Sequence, residues 1–221
     1  MELEAAVRGR RSIRKFTSKT VPGFVIDGIL DAARWSPSWG NTQPWEFYVL
    51  TGEPFAAFKE ANKRRLAEGL AFTPDIPMPE VWPPALKERY GELGKGLLDM
   101  LGIHRDDKEA RGKLLESMAG LFGAPCLIVV CVHHDVLIEY AMLDVGLAVQ
   151  TICLLAHDRG LGTCIMAAVV RYPDLLRNTA AIPGDRRIVA GIALGYPDPN
   201  DPINRFERKR AEPREIVHWV D

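Results

Sequence analysis

The chain has little of what most easily recognised chemistry requires. Its four cysteines form no CxxC pair, and Cys126, Cys131, Cys153 and Cys164 each sit among apolar neighbours. That excludes a disulfide scaffold and reads as reduced core thiols of a cytoplasmic protein. No P-loop, GxSxG or HExxH motif is present, so no phosphate loop, nucleophile elbow or zincin centre is expected. The pair His133-His134, followed by Asp135, ends an apolar run and has no partner at zinc-ligand spacing, so no metal is expected either. With 28 basic and 29 acidic residues the net charge is −1. There is no global field to attract nucleic acid or an anionic membrane, and any anion site must be local. The opening MELEAAVRGRR has no apolar core behind a basic region, so no secretion signal is expected. The longest apolar run, Tyr140 to Ala156, is broken by Asp144 and Gln150. It reads as too short and too polar to cross a bilayer, and so as a buried core helix. GLGTC (160–164) follows a helical pattern and leads into a strand, the reverse of a dinucleotide fingerprint.

What is there describes an ordinary soluble domain. The chain has 221 residues, 47% hydrophobic and 26% charged, enough for one sizeable core. VPGFVIDGILDAARWSPSW predicts a helix that starts after a Val-Pro-Gly turn and stops before Pro37. PWEFYVLTG reads as a short strand, APCLIVVCV as a central strand covered on both faces, and 138–159 as a long helix ending at Gly160. GTCIM, RIVAGIALGYP and REIVHWV read as further strands. Residues 60–122 differ in texture: TPDIPMPEVWPP has five prolines in twelve residues, followed by two surface helices. The pattern predicts a single α+β domain over 1–221 with a Pro-rich and helical insertion at about 60–122.

Two stretches invite chemistry. RGRRSIRKF (8–16) packs Arg8, Arg10, Arg11, Arg14 and Lys15 around Ser12, and RKR (208–210) lies near the other end of the chain. Guanidinium forks and a hydroxyl suit a phosphate monoester; a solvated basic face is the other reading. SPSWGNTQPWEF (36–47) sets Ser38, Asn41 and Gln43 among two tryptophans and two prolines. It suits a loop that reads the edge of a flat heterocycle, or a structural turn in which Asn41 and Gln43 bond backbone and Trp45 fills the core. With no side-chain nucleophile in sight, enzymatic chemistry would belong to a cofactor.

In order, RRSIRKF, SPSWGNTQPWEF, LDVGLAVQTICLLAHDRGLGTC, IPGDRRIVAGIALGYP and RKRAEPREIVHW resemble the FMN-dependent nitroreductase family, and the middle segment its nitrobenzoate-reductase-like branch. The resemblance implies an α+β sandwich, a central mainly antiparallel sheet flanked by helices, working as an intertwined homodimer with FMN at the interface. It implies that Arg10, Arg11, Ser12, Arg210 and Arg208 hold the FMN phosphate, with Arg14 toward the ribityl chain and the N1/C2 side of the ring. Pro37, Ser38, Trp39 and Asn41 would reach the same flavin from the other subunit. The backbone of Ile165, Met166, Ala167 and Ala168 would pass the ring, and Gln150 would lie behind it. Ala167 departs from relatives with Glu and Gly in this region, and Trp39 replaces a small residue. The implied activity is ping-pong transfer of hydride from NADH or NADPH to nitroaromatic or quinone-like acceptors. Alternatives are a non-catalytic FMN-binding redox sensor or carrier, and a dehalogenase or flavin-degrading relative.

Overall fold

An uninterrupted apolar strand needs cover on both faces, and the apolar run from Cys126 has it. The computed structural model describes residues 1–220. Its strands are β1 (Trp45–Thr51), β2 (Cys126–His133), β3 (Gly162–Met166) and β4 (Arg186–Gly195). Their spatial order is β1-β2-β4-β3, and every neighbouring pair is antiparallel. The helices are α1 (Leu3–Gly9), α2 (Gly23–Ala33), α3 (Gly52–Ala67), α4 (Pro84–Met100), α5 (Lys108–Ala119), α6 (Ile138–Asp158), α7 (Pro173–Ala180) and the single turn α8 (Pro213–Ile216). The fold is the expected α+β sandwich.

Alternation along β2 sorts the core into two halves. Ile128, Val130 and Val132 meet Ile26 and Ile29 of α2 and Ala148, Ile152 and Ala156 of α6. Leu127, Val129 and Cys131 meet Phe55 and Phe58 of α3 and Leu176 of α7. Each fully buried Leu, Ile or Phe contributes about 1.5–3 kcal/mol of transfer free energy. β2 therefore anchors both layers, and its register against β4 shifts between Val130 and Cys131.

Three elements differ from the sequence reading. Residues 60–67 belong to α3, whose Asn62 is buried and donates from Nδ2 to Ala119 O at 2.8 Å; the excursion proper starts after Ala67. The amphipathic spacing of α3 is weak, so its helical period was hidden. Helix α6 has 21 residues, and its most apolar window has a mean hydropathy of 1.5, enough for a membrane span by length and composition alone. Its packing on the sheet, not its length, makes it a core helix. Finally, REIVHWV is not a strand within this chain. Pro213 at the first helical position and a reciprocal Glu212–Glu215 capping box set a helical turn there, and Val217–Val220 are exposed without regular structure.

The proline-rich excursion is pinned by one carboxylate. Asp75 Oδ2 accepts from Arg177 Nη2 at 2.7 Å and from the Ile188 amide at 2.7 Å, and the same guanidinium donates to Arg186 O at 2.8 Å. Asp75→Ala takes the counter-charge from the half-buried Arg177 guanidinium and leaves the Ile188 amide of β4 without its acceptor. It should lower stability by about 2–4 kcal/mol, read as a lower urea midpoint. An unchanged midpoint would show that the excursion is held elsewhere.

Candidate functional site

The basic segment has no sheet of its own; it is laid against the free edge of β3. Ser12 forms a parallel bridge with Thr163, and the Ile13 amide donates to Thr163 O at 2.9 Å. Gly162 makes the approach possible, since a Cβ there would come within 2.5 Å of Ile13 Cγ1. Further along, Phe16 bridges Pro197 and the Asp198 amide donates to Lys15 O at 3.0 Å.

Asn204, which nothing in the sequence reading singled out, closes this arrangement. Its buried carboxamide accepts from the Arg14 and Lys15 amides at 2.8 and 3.2 Å through Oδ1. Through Nδ2 it donates to Lys15 O at 2.7 Å and Asp198 O at 3.0 Å. One side chain thus ties the start of the C-terminal arm to the basic segment with its full complement of bonds.

That tie brings the two arginine clusters together. Arg208 Nη2 donates to Arg8 O. Burial, then the charges of Arg11, Arg210 and Arg10, hold the Arg208 pKa below its ordinary value, so all four guanidinium groups share one field. Arg10 Nε is buried and has no hydrogen-bond partner among the described residues. Ser12 and Arg14 lie beside Cys164: burial raises that thiol's pKa, while Arg14 and a hydrogen bond with Ser12 oppose the rise. Arg14 Nη1 also lies 3.4 Å from Ser12 O.

The 36–43 loop attaches to the opposite end of α6. The Trp39 amide donates to the buried carboxylate of Asp144 at 3.0 Å, and Ser36 Oγ bonds Ala33 O at 2.7 Å and Thr151 Oγ1 at 2.9 Å. Gly40, Asn41 and Gln43 all take positive φ, a strained run. Internal bonds hold it: the Gln43 amide to Ser38 Oγ at 2.8 Å, and Gln43 Nε2 to Asn41 O at 3.1 Å. The structural-turn reading is met in part. Gln43 closes the turn and Trp45 fills the core, whereas Pro37, Trp39 and Asn41 are exposed. Trp39 packs at a tilt against Tyr140, their ring centroids 5.8 Å apart and their planes 57° from parallel.

Asp144 and His157, which faces the arginines, stand about 20 Å apart along α6 at helical rise. One chain therefore holds Trp39 well away from its own arginines along α6, although Ser36 is fastened nearer to them, at Thr151. Between them, Gln150 is half-buried on α6. On β3, Cys164 and Met166 point into the core while Ile165 is 46% exposed. The strand's two-residue period turns the Ile165 amide to the same edge as Thr163, beyond the point where the basic segment occupies it. Ala167 is exposed and Ala168 half-buried at the turn that follows.

No side chain here is an activated nucleophile. Burial pushes the Cys126 and Cys131 thiols up to about 12, and all four cysteines are free and buried. In the HHD stretch His133 Nδ1 accepts from the Asp135 amide at 3.2 Å, and His134 Nδ1 lies 3.1 Å from Asp185 O, outside the stretch.

A sequence model of the nitroreductase family matches residues 7–196. This chain belongs to the nitroreductase family. Among curated members it is 35% identical to the 4-nitrobenzoate reductase of Nocardioides sp., over 99% of this chain and 90% of that one. It is 32% identical to the 4-nitrobenzoate reductase of Pseudomonas putida, over 99% and 96%. Among solved structures, the FMN-dependent nitroreductase NfnB of Mycobacterium smegmatis, in complex with NADPH, superposes with a TM-score of 0.94 at 27% identity, covering 99% and 97% of the two chains.

Within this nitroreductase-family fold, Asn204 is the residue on which the arginine cluster most depends. Asn204→Ala strands two amides and a carbonyl and should cost about 2–4 kcal/mol. Hydrogen exchange should also rise at the Arg14 and Lys15 amides while β2 stays protected. Unchanged exchange at those two amides would refute the tie.

Proposed function

We propose that this nitroreductase-family protein is an FMN-dependent oxidoreductase that takes hydride from NADPH or NADH and reduces nitroaromatic or quinone-like acceptors. The observation that carries the reading is the convergence of Arg10, Arg11 and Arg210 on Arg208, whose guanidinium is bonded to the Arg8 carbonyl. Positive groups held this close are favourable only with an anion between them. The unpartnered Arg10 Nε fits such an anion, and the Ser12 hydroxyl adds a donor on the same stretch of backbone. A phosphate monoester therefore suits the residues present.

Arg10, Arg11, Ser12, Arg208 and Arg210 hold the phosphate of FMN in this reading, and Arg14 lies toward the ribityl chain and ring. The exposed edge from Ile165 to Ala168 offers backbone donors to the flavin, with Gln150 behind it. When bound, FMN supplies the two-electron chemistry that no side chain here offers. The protein's part is alignment and electrostatics: donor and acceptor use one slot in turn, so ping-pong kinetics follow. A reducing cytoplasm suits the four buried thiols.

The second half of the site comes from a second copy. Core helix α6 leaves Tyr140 53%, Leu143 63% and Leu147 39% exposed, an apolar stripe at helical spacing. Trp39 is 67% exposed beside it. Another α6 laid on this stripe brings Pro37, Ser38, Trp39 and Asn41 of one protomer toward the arginines of its partner. The exposed Val217–Val220 tail is free to wrap that partner.

Three outcomes are expected. The purified protein is yellow, releases FMN on denaturation and bleaches anaerobically with NADPH or NADH; bound flavin that neither donor bleaches would favour a redox sensor. Arg11→Ala and Arg208→Ala each weaken FMN about ten- to a hundredfold, the loss of one charge-assisted hydrogen bond, and leave riboflavin affinity nearly unchanged. Leu143→Asp converts a dimer to a monomer in sedimentation and releases the flavin. A wild-type monomer that retains FMN would overturn the shared site.

A further inference from the structure

One more titratable side chain reaches the backbone on which the guanidinium groups converge. His157 stands in the last turn of α6, and a Cβ added to Gly9 would come within 2.5 Å of its Nε2. The imidazole is thus packed against Gly9, where only glycine leaves room. Arg8, whose carbonyl accepts from Arg208, precedes that glycine. Arg10, with its unpartnered Nε, follows it. The ring nitrogens of His157 make no hydrogen bond among the described residues.

We propose that His157 is a protonatable member of the phosphate site and takes up a proton when the phosphate of FMN binds. This rests on the reading that FMN occupies the arginine cluster. The charged groups facing the imidazole are Arg10 and Arg11 from the basic segment, Arg208 from the C-terminal arm and Asp158 from its own helix. Asp158 is already engaged by the Met1 ammonium at 2.8 Å, and on α1, which packs against α6, Glu4 and Arg8 pair with each other at 2.8 Å. The uncompensated charge near the ring is therefore positive.

The sign follows. In the free protein, burial and then Arg10, Arg11 and Arg208 hold the imidazole below its ordinary pKa, with Asp158 opposing them; it is neutral at neutral pH. A bound dianion cancels the guanidinium field and favours imidazolium, so the value rises on binding. By linkage, FMN affinity falls as pH rises between the lower, free value and the higher, bound value, by up to about tenfold per pH unit for one proton. The second ionisation of the phosphate, at about pH 6, works the other way, so the comparison must be with a variant lacking the imidazole.

The test is FMN titration of the apoprotein from about pH 5.5 to about pH 8.5, for wild type and His157→Gln, with riboflavin as the phosphate-free ligand. Side-chain NMR of His157, assigned by the signal lost in the variant, is recorded with and without FMN. The expected result is a higher His157 pKa in the loaded protein and a wild-type to variant affinity ratio that shrinks toward high pH for FMN but not for riboflavin. Gly9→Ala, which displaces the ring without removing it, should flatten the pH profile in the same way and serves if His157→Gln does not fold. Bound FMN that leaves the His157 pKa unmoved, with parallel profiles, overturns this inference and leaves the proposed function standing. Absence of FMN binding by wild type removes both.

Discussion

Four guanidinium groups from opposite ends of the chain are held within one another's field, and the rest of the site is arranged around keeping them there. Repulsion among Arg10, Arg11, Arg208 and Arg210 opposes the arrangement, so bonds to backbone and carboxamide groups have to supply the holding force. They are backbone and amide bonds: the Ser12–Thr163 bridge on the β3 edge, the four bonds of Asn204, and the contact of Arg208 with the Arg8 carbonyl. The four Asn204 bonds are partly buried and join uncharged groups, so salt screens them little. The cluster is therefore preorganised before any anion arrives, which is what a tight phosphate site needs.

Helix α6 links that cluster to the other chemically suggestive stretch. Its buried Asp144 fixes the 36–43 loop by one backbone bond, and its last turn places His157 at Gly9. Between them the helix packs Ala148, Ile152 and Ala156 on the sheet and leaves its far face apolar and open. The long helix is thus a strut that carries the Trp39 anchor near its start and His157 in its last turn. The sheet below it is rigid for a separate reason, because β2 is covered on both faces.

Much of this was legible from residue pattern. The unbroken apolar run of β2, the Gly160 stop of α6 at φ +73° and the turn chemistry around Pro37 act through local sequence. What escaped was set by tertiary contact. Helix α3 carries Lys and Arg around most of its circumference and buries only Phe55, Phe58 and Asn62, so its period is faint. Alternation in REIVHWV suggested a strand, but Pro213 and the Glu212–Glu215 pair favour a helical turn. Of the candidate site residues, the arginines, Ser12 and the exposed loop side chains stood out by type and crowding. Asn204, Asp144 and His157 did not, since an Asn in DPINRF or a His in LLAHDRG has no significance until the fold brings Arg14, Trp39 or Gly9 beside it.

Bonding of Asn204 to Arg14 and Lys15 joins positions 190 and 189 residues apart in sequence. During synthesis the N-terminal arginines emerge early and must remain without their fastening until the C-terminal arm has left the ribosome. Until then the basic segment is held on the β3 edge through Thr163 without the Asn204 tie, and partly covered edges are sites of mispairing. Closing of the C-terminal arm over Arg14 and Lys15 is therefore a late step for this fold.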